Sequence, residues 1–192
     1  MVPKVSSVYR LKITLRGIRP PIWRRIEVAS NVGLHELSAI LQAAMGWHGG
    51  HLHAFETGGV TYQLPSEFDD FGRYRTIDER KAKLNKVLPG VGSKMVFEYD
   101  FGDGWTHDVL VEAIEPSASG MTYPRCITGK RACPPDDCGG PWGYGNLLEI
   151  LADPTNEEHA DTLEWCDGPI DPDAFDAADI TLSMQHAEPW DD

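Results

Sequence analysis

The strongest constraint on this chain is a set of short segments in which apolar and polar side chains alternate, each broken by glycine or proline. Residues 8–15, VYRLKITL, alternate and are rich in β-formers, which predicts a strand. Gly17-Ile18-Arg19-Pro20-Pro21 interrupts the pattern, and residues 22–28 predict a second strand. There Ile22, Arg24, Ile26 and Val28 share one face, with Trp23, Arg25 and Glu27 on the other. Residues 51–57 and 60–64 flank Gly58-Gly59 as a hairpin. Residues 94–101 and 105–114 pair in the same way around Gly102-Asp103-Gly104. One segment has a helical period: Leu34, Leu37, Ile40, Leu41, Ala44 and Met45 predict an amphipathic helix over 33–46, capped by Ser30 or Asn31 and ended by Gly46.

Beyond the strands the pattern changes. Residues 65–80 are polar and predict an exposed loop, and residues 81–93 predict a short strand plus a helical turn. Residues 115–142 are rich in Pro, Gly and Cys and carry almost no period, so they predict a long loop. Helices are expected at 144–151, 159–165 and 174–184. The order predicts an α+β fold: a mainly antiparallel sheet, one long helix packed on it, and a C-terminal group of short helices. One domain spanning 1–192 is expected, with the sheet and first helix at about 5–115 and the loop and short helices at about 116–188. Trp47, Phe55, Phe97, Tyr99, Phe101 and Val109 are the expected core around the first helix.

Composition bounds the function. The apolar fraction of 41% is that of a globular protein, and no run approaches the ~18 apolar residues of a membrane span. The first residues lack a signal-peptide apolar stretch, so a cytoplasmic protein with no membrane partner is expected. Net charge is −13, unevenly spread: residues 1–95 carry 14 Lys+Arg against 8 Asp+Glu, and residues 96–192 carry 3 against 22. Either a basic face binds a partner, or the two halves attract each other. Overall acidity opposes non-specific nucleic-acid binding, which favours the second reading.

Three groups of residues could carry chemistry. Cys126, Cys133 and Cys138 fall within 13 residues, but no CxxC occurs and a fourth zinc ligand would have to come from Cys166 or a histidine. Buried thiols that stiffen a Pro/Gly loop fit that spacing better. His51 and His53 share a face if both lie on a strand, and His107, Asp100 and Asp103 lie on the neighbouring hairpin. Converged, they would bind Zn²⁺, Fe²⁺ or Mn²⁺, or work as acid and base. A short His-x-His pattern has many chance matches, so ordinary hydrogen bonding at strand ends outweighs it. Arg16, Arg19, Trp23, Arg24 and Arg25 form a basic-aromatic cluster suited to phosphate and bases, set against pairing with the acidic second half. Val111 stands where an EF-hand begun at Asp100 needs Glu, and no GxxxxGK[ST], GxGxxG or GxSxG occurs.

The landmarks RPPIWRR (19–25), QAAMGW (42–47), HLHAF (51–55), YDFGDGWTH (99–107) and ACPPDDCGG (132–140) together resemble the plasmid pRiA4b ORF-3-like family, over nearly the whole chain. The family is also labelled a transposon-associated, resolvase-like passenger protein, which implies a link to plasmids and mobile elements. It implies an α+β fold with no settled activity. The family motif commonly has Glu where this chain has Asp137, and position 138 varies, which weakens Cys138 as an obligatory ligand. The leading expectation is a binding or accessory protein acting through the PPIWRR segment and the Pro/Gly/Cys loop. The alternatives are a metal-dependent hydrolase on His51, His53 and His107 with Asp100 or Asp103, and a nucleic-acid binder on Arg19–Arg25. The partner is left open between a protein and a nucleic acid, with no membrane, and the cofactor is open too, a zinc or other divalent metal ion being an option that is not favoured. In the loop, Pro134, Pro135, Asp136, Asp137, Gly139, Gly140 and Tyr144 are expected to form a fixed wall, with Arg125, Lys130 or Arg131 exposed at its rim.

Overall fold

The computed structural model describes residues 7–65 and 75–190. Its strands are β1 (Ser7–Leu15), β2 (Trp23–Ala29), β3 (His53–Thr57), β4 (Val60–Gln63), β5 (Arg75–Asp78), β6 (Lys94–Tyr99), β7 (Trp105–Pro116) and β8 (Arg125–Lys130). The helices are α1 (Leu34–Met45), α2 (Leu84–Val87), α3 (Gly140–Ala152), α4 (His159–Trp165) and α5 (Ala177–Gln185), with a 3-10 turn at Glu79–Lys81. The strands form one sheet in the order β5-β4-β3-β6-β7-β1-β2-β8. Every pairing is antiparallel except β4 with β5, so the sheet is mixed. The helix expected over 33–46 is α1; with 12 residues it is no longer than α3, which has 13.

Both edge strands lie where irregular loops were expected. β8 falls within 115–142 and β5 within 65–80; residues 66–74 of that second loop lie outside the described residues. An edge strand is held through the backbone of one neighbour and needs no strict alternation, so its side chains carry a weak signal.

The alternation buries one sheet face. Leu11, Ile13, Leu15, Ile26, Val28, Phe55, Phe97, Tyr99, Trp105 and Val109 point inward from adjacent strands. α1 covers them and is buried on nearly every side, because α5 lies against it from the other direction. Gly46 ends α1 in the left-handed region, φ 107°, and the N–H of the next residue returns to the Gln42 carbonyl. That turn drives Trp47 inward, where it stacks on Tyr99 with ring centroids 5.0 Å apart and donates Nε1–H to the Pro134 carbonyl at 3.1 Å. α5 also clamps β8: the Cys126 N–H donates to Thr181 Oγ1 and Gln185 Nε2 to the Pro124 carbonyl.

Phe101 departs from the expected core and is 48% exposed. Asp100 adopts φ 54°, which breaks the pleat and throws the next side chain outward.

The other sheet face is charged. Glu27, nearly buried, accepts from Arg10 at 3.0 Å and from Arg125 at 2.7 Å. Arg25 pairs with Glu112 and Arg16 with Asp108. Arg25–Glu112, Arg16–Asp108 and Arg10–Glu115 thus match part of the basic first half with part of the acidic second half across the sheet.

Candidate functional site

The site forms at the end of the sheet where β6 turns into β7 and the chain enters β3. His53 is opposite Tyr99 in the ladder, and the Asp100 N–H donates to the Leu52 carbonyl, so His51 and Asp100 leave adjacent strands side by side. The Asp100 carboxylate is fixed by the Gly102 N–H at 2.9 Å and the Asp103 N–H at 3.3 Å.

The loop between β8 and α3 completes the site. The Gly139 N–H donates to the Asp103 carboxylate at 3.1 Å. Gly140 lies so close to the hairpin that a Cβ would collide with the Asp103 carbonyl, and it holds φ 69°. This contact delivers Asp136 and Asp137 to His51. Asp136 Oδ2 lies 3.2 Å from the Tyr99 hydroxyl, which Gly49 O shares at 3.3 Å.

His51 Nδ1 is 3.8 Å from Asp100 Oδ2, and its Nε2 is 4.0 Å from Asp136 Oδ1 and 3.4 Å from Asp137 Oδ1. One ligand atom each from His51, Asp100 and Asp136 lies within 4.8 Å of the other two, the one such group among the described residues. Asp136 Oδ1 is buried and accepts no hydrogen bond among the described residues. Burial pushes the Asp136 carboxyl above its usual range, and the Asp137 and Asp100 charges add to this; Tyr99 and His51 oppose it. Burial, reinforced by Asp136, also raises the Tyr99 phenol, so its O–H remains a donor. One imidazole and two carboxylates, one oriented by an outer tyrosine, form a donor set for a borderline or hard divalent cation.

The other sequence candidates go elsewhere. β3 begins only at His53, so the pleat does not align His51 with it. His53 turns inward, and its Nε2 lies 3.0 Å from Glu79 Oε1; His35 Nδ1 reaches the same oxygen at 2.9 Å. His107 is fully buried beside Trp47 and Phe97, and burial lowers its pKa to about 4, so it is a neutral core imidazole. Asp103 serves the loop contact.

Burial raises the thiols of Cys126 to about 11 and Cys138 to about 12, and that of Cys133 well above its ordinary value. The zinc-binding form is the thiolate, and these thiols join no donor group among the described residues.

Arg24, a candidate for partner binding, is 2% exposed, because it donates to the Ala44, Trp23 and Lys130 carbonyls and stacks on Phe175. Trp23 is flanked by Lys12 and Arg25. Arg19 is exposed. Arg131, expected at the loop rim, is buried because Asp173 and the Pro20 carbonyl hold it.

Sequence reasoning assigned Asp136 an anchoring role only, and Glu79 none. The Asp pair after Pro134-Pro135 was the available signal for Asp136. Glu79 sat in a polar run with no local mark.

A cavity of about 490 Å³ opens beside the group, bounded by Asp137, Cys138, Leu147, Asp161 and Trp165.

The fold and this edge group define an α+β protein with a candidate cation site at the end of a mixed sheet. The chain belongs to the plasmid pRiA4b ORF-3-like family, which it matches over residues 7–179. It is similar to the uncharacterised protein y4hQ of Sinorhizobium fredii, 44% identical over 163 residues, covering 84% of this chain and 82% of that protein. It is also similar to the crystal structure of a Methanosarcina mazei protein of unknown function, MM3350. The TM-score is 0.82 at 38% identity, covering 91% of this chain and 97% of the other. The family is uncharacterised, and its name supplies the plasmid link. No described helix is long and apolar enough to cross a membrane.

Proposed function

We propose that this chain is a divalent-cation-binding protein, with the ion held by His51, Asp100 and Asp136 and with Asp137 at the mouth. The observation behind this reading is the Asp136 carboxylate: one oxygen is oriented by Tyr99, while the other is buried beside His51 without a donor among the described residues. A buried anionic oxygen with no partner is costly unless a cation meets it. The leading binding role shifts accordingly from the arginine segment to the Pro/Gly/Cys loop, which walls the site. A cytoplasmic setting suits four free cysteines.

The test is metal analysis of protein purified without a histidine tag, followed by melting of chelated protein with added Mn²⁺ or Zn²⁺. One equivalent should bind and raise the melting temperature, and His51→Ala should abolish the shift. Unchanged melting, or a shift preserved in His51→Ala, would overturn the reading.

Metal-assisted hydrolysis is the second reading, supported by the exposed Asp137 carboxylate between His51 and the 490 Å³ cavity. It calls for turnover of p-nitrophenyl acetate or phosphate that chelation removes.

A further inference from the structure

α3 separates two cavities. Gly143, Leu147 and Ile150 face the one beside Asp137. Tyr144 and Leu148 line another, of about 590 Å³, between α3, the end of β1 and the turn that follows β1. This second cavity lies well inside the size range of small-molecule sites.

Its chemistry runs against the rest of the molecule. The chain carries a net charge of −13, yet among the described residues no carboxylate lines this cavity, and the ionisable groups that do are Arg19, Arg131 and Tyr144. Arg131 is 6% exposed on a left-handed backbone, φ 70°; its Nε donates to Asp173 at 3.1 Å and its Nη1 to the Pro20 carbonyl at 2.8 Å. These bonds fix the guanidinium in place. Tyr144 is 1% exposed, and its hydroxyl is buried with no hydrogen-bond partner among the described residues. Tyr144 and Arg131 line the same cavity; burial raises the phenol's pKa, the Arg131 charge opposes that rise, and Asp173 adds to it. Leu15, Ile18 and Leu148 supply an apolar wall.

A fixed guanidinium beside an O–H with nothing to donate to is the arrangement an anionic oxygen completes, because guanidinium and hydroxyl are donors that converge on acceptor-only groups. We propose that this cavity binds a small organic anion, a carboxylate or phosphate monoester on an apolar body. Tyr144 and Arg131 hold the charged oxygens, Arg19 adds charge at the wall, and Leu15, Ile18 and Leu148 receive the body. This site is independent of the cation group.

Calorimetric titration of the full chain with benzoate and with phenyl phosphate tests it, with benzyl alcohol as the neutral control. At least one anion should bind, and the one that binds more tightly identifies the acid group. Chelation should leave that affinity unchanged, which separates this site from the cation site. Tyr144→Phe should weaken the anion about tenfold while melting no lower than the natural protein, since it removes only an unpartnered hydroxyl. Arg19→Ala should weaken it about threefold, with stronger salt dependence in the natural protein. Absence of binding by both anions, equal binding of benzyl alcohol, or an unchanged affinity in Tyr144→Phe would overturn the proposal.

Discussion

The outer face of the sheet and its end use the same residue types in opposite balance. On the outer face, Glu27 meets Arg10 and Arg125, Glu112 meets Arg25 and Asp108 meets Arg16. At the end, Asp100, Asp136 and Asp137 share one imidazole, His51. The acidic half of the chain is thus partly matched internally and partly left for something from solution. Charge sums over the sequence cannot separate these two fates; placement can.

The largest expected effect is at the end of the sheet. Asp136→Asn should lower divalent-metal affinity about a hundredfold or more by calorimetry, since even outer partners of metal ligands are worth 10–100-fold. In chelator the same variant should be no less stable than the natural protein, because the charge on a carboxylate with one buried, unpartnered oxygen among the described residues has been removed. Equal loss of stability with and without metal would make Asp136 a structural anchor and erase the contrast.

Glu27→Gln should act in the other region. It leaves two guanidiniums without their shared carboxylate. The expected loss is about 1–3 kcal/mol in urea unfolding, reduced by the partial exposure of both arginines, and it should not depend on metal.

Acid should resolve the regions by sign. Arg16 holds Asp108 below 3.8 and Arg25 holds Glu112 below 4.5, each chiefly by a hydrogen bond, so the stability these pairs add is present above those values and lost as pH falls through the depressed ones. Asp136 is raised above 3.8, so in metal-free protein its contribution is present below that value and lost as pH rises through the raised one. On acidification the metal-induced rise in melting temperature should disappear before the outer pairs fail. A metal effect that survives into the range where those pairs break would sink the assignment of Asp136.

The smallest effect belongs to Arg16→Ala. Its pair with Asp108 is 48% and 58% exposed, so the loss should be under about 1 kcal/mol and vanish in concentrated salt.

What the sequence revealed follows from how far each signal travels. Alternation in β1, β2, β6 and β7 was legible because each strand contributes inward residues to a one-sided sheet. The helical period of α1 was legible for the same reason. β5 and β8 escaped because an edge strand is defined by its neighbour. His107 had the right parity for the core, and Phe101 lost its own when Asp100 turned. Pairing His51 with His53 assumed a strand that starts two residues later. Asp136 was read as an anchor, and the Tyr99 contact is of that kind; its approach to His51 depends on Gly140 meeting Asp103, a contact between distant segments. Glu79 is matched by His35 and His53 from two other elements, which no local pattern encodes.

The place of β1 in the sheet bears on how the protein is made. β1 lies between β2 and β7, with Leu11 and Ile13 fully enclosed. On the ribosome its hairpin with β2 is available early, but its second edge has no partner until Trp105–Pro116 has emerged. For most of translation the nascent chain therefore presents an apolar strand edge, the kind of surface that chaperones shield and aggregates recruit. Chains stalled before Trp105 should be captured or precipitate, and those that run past Pro116 should escape.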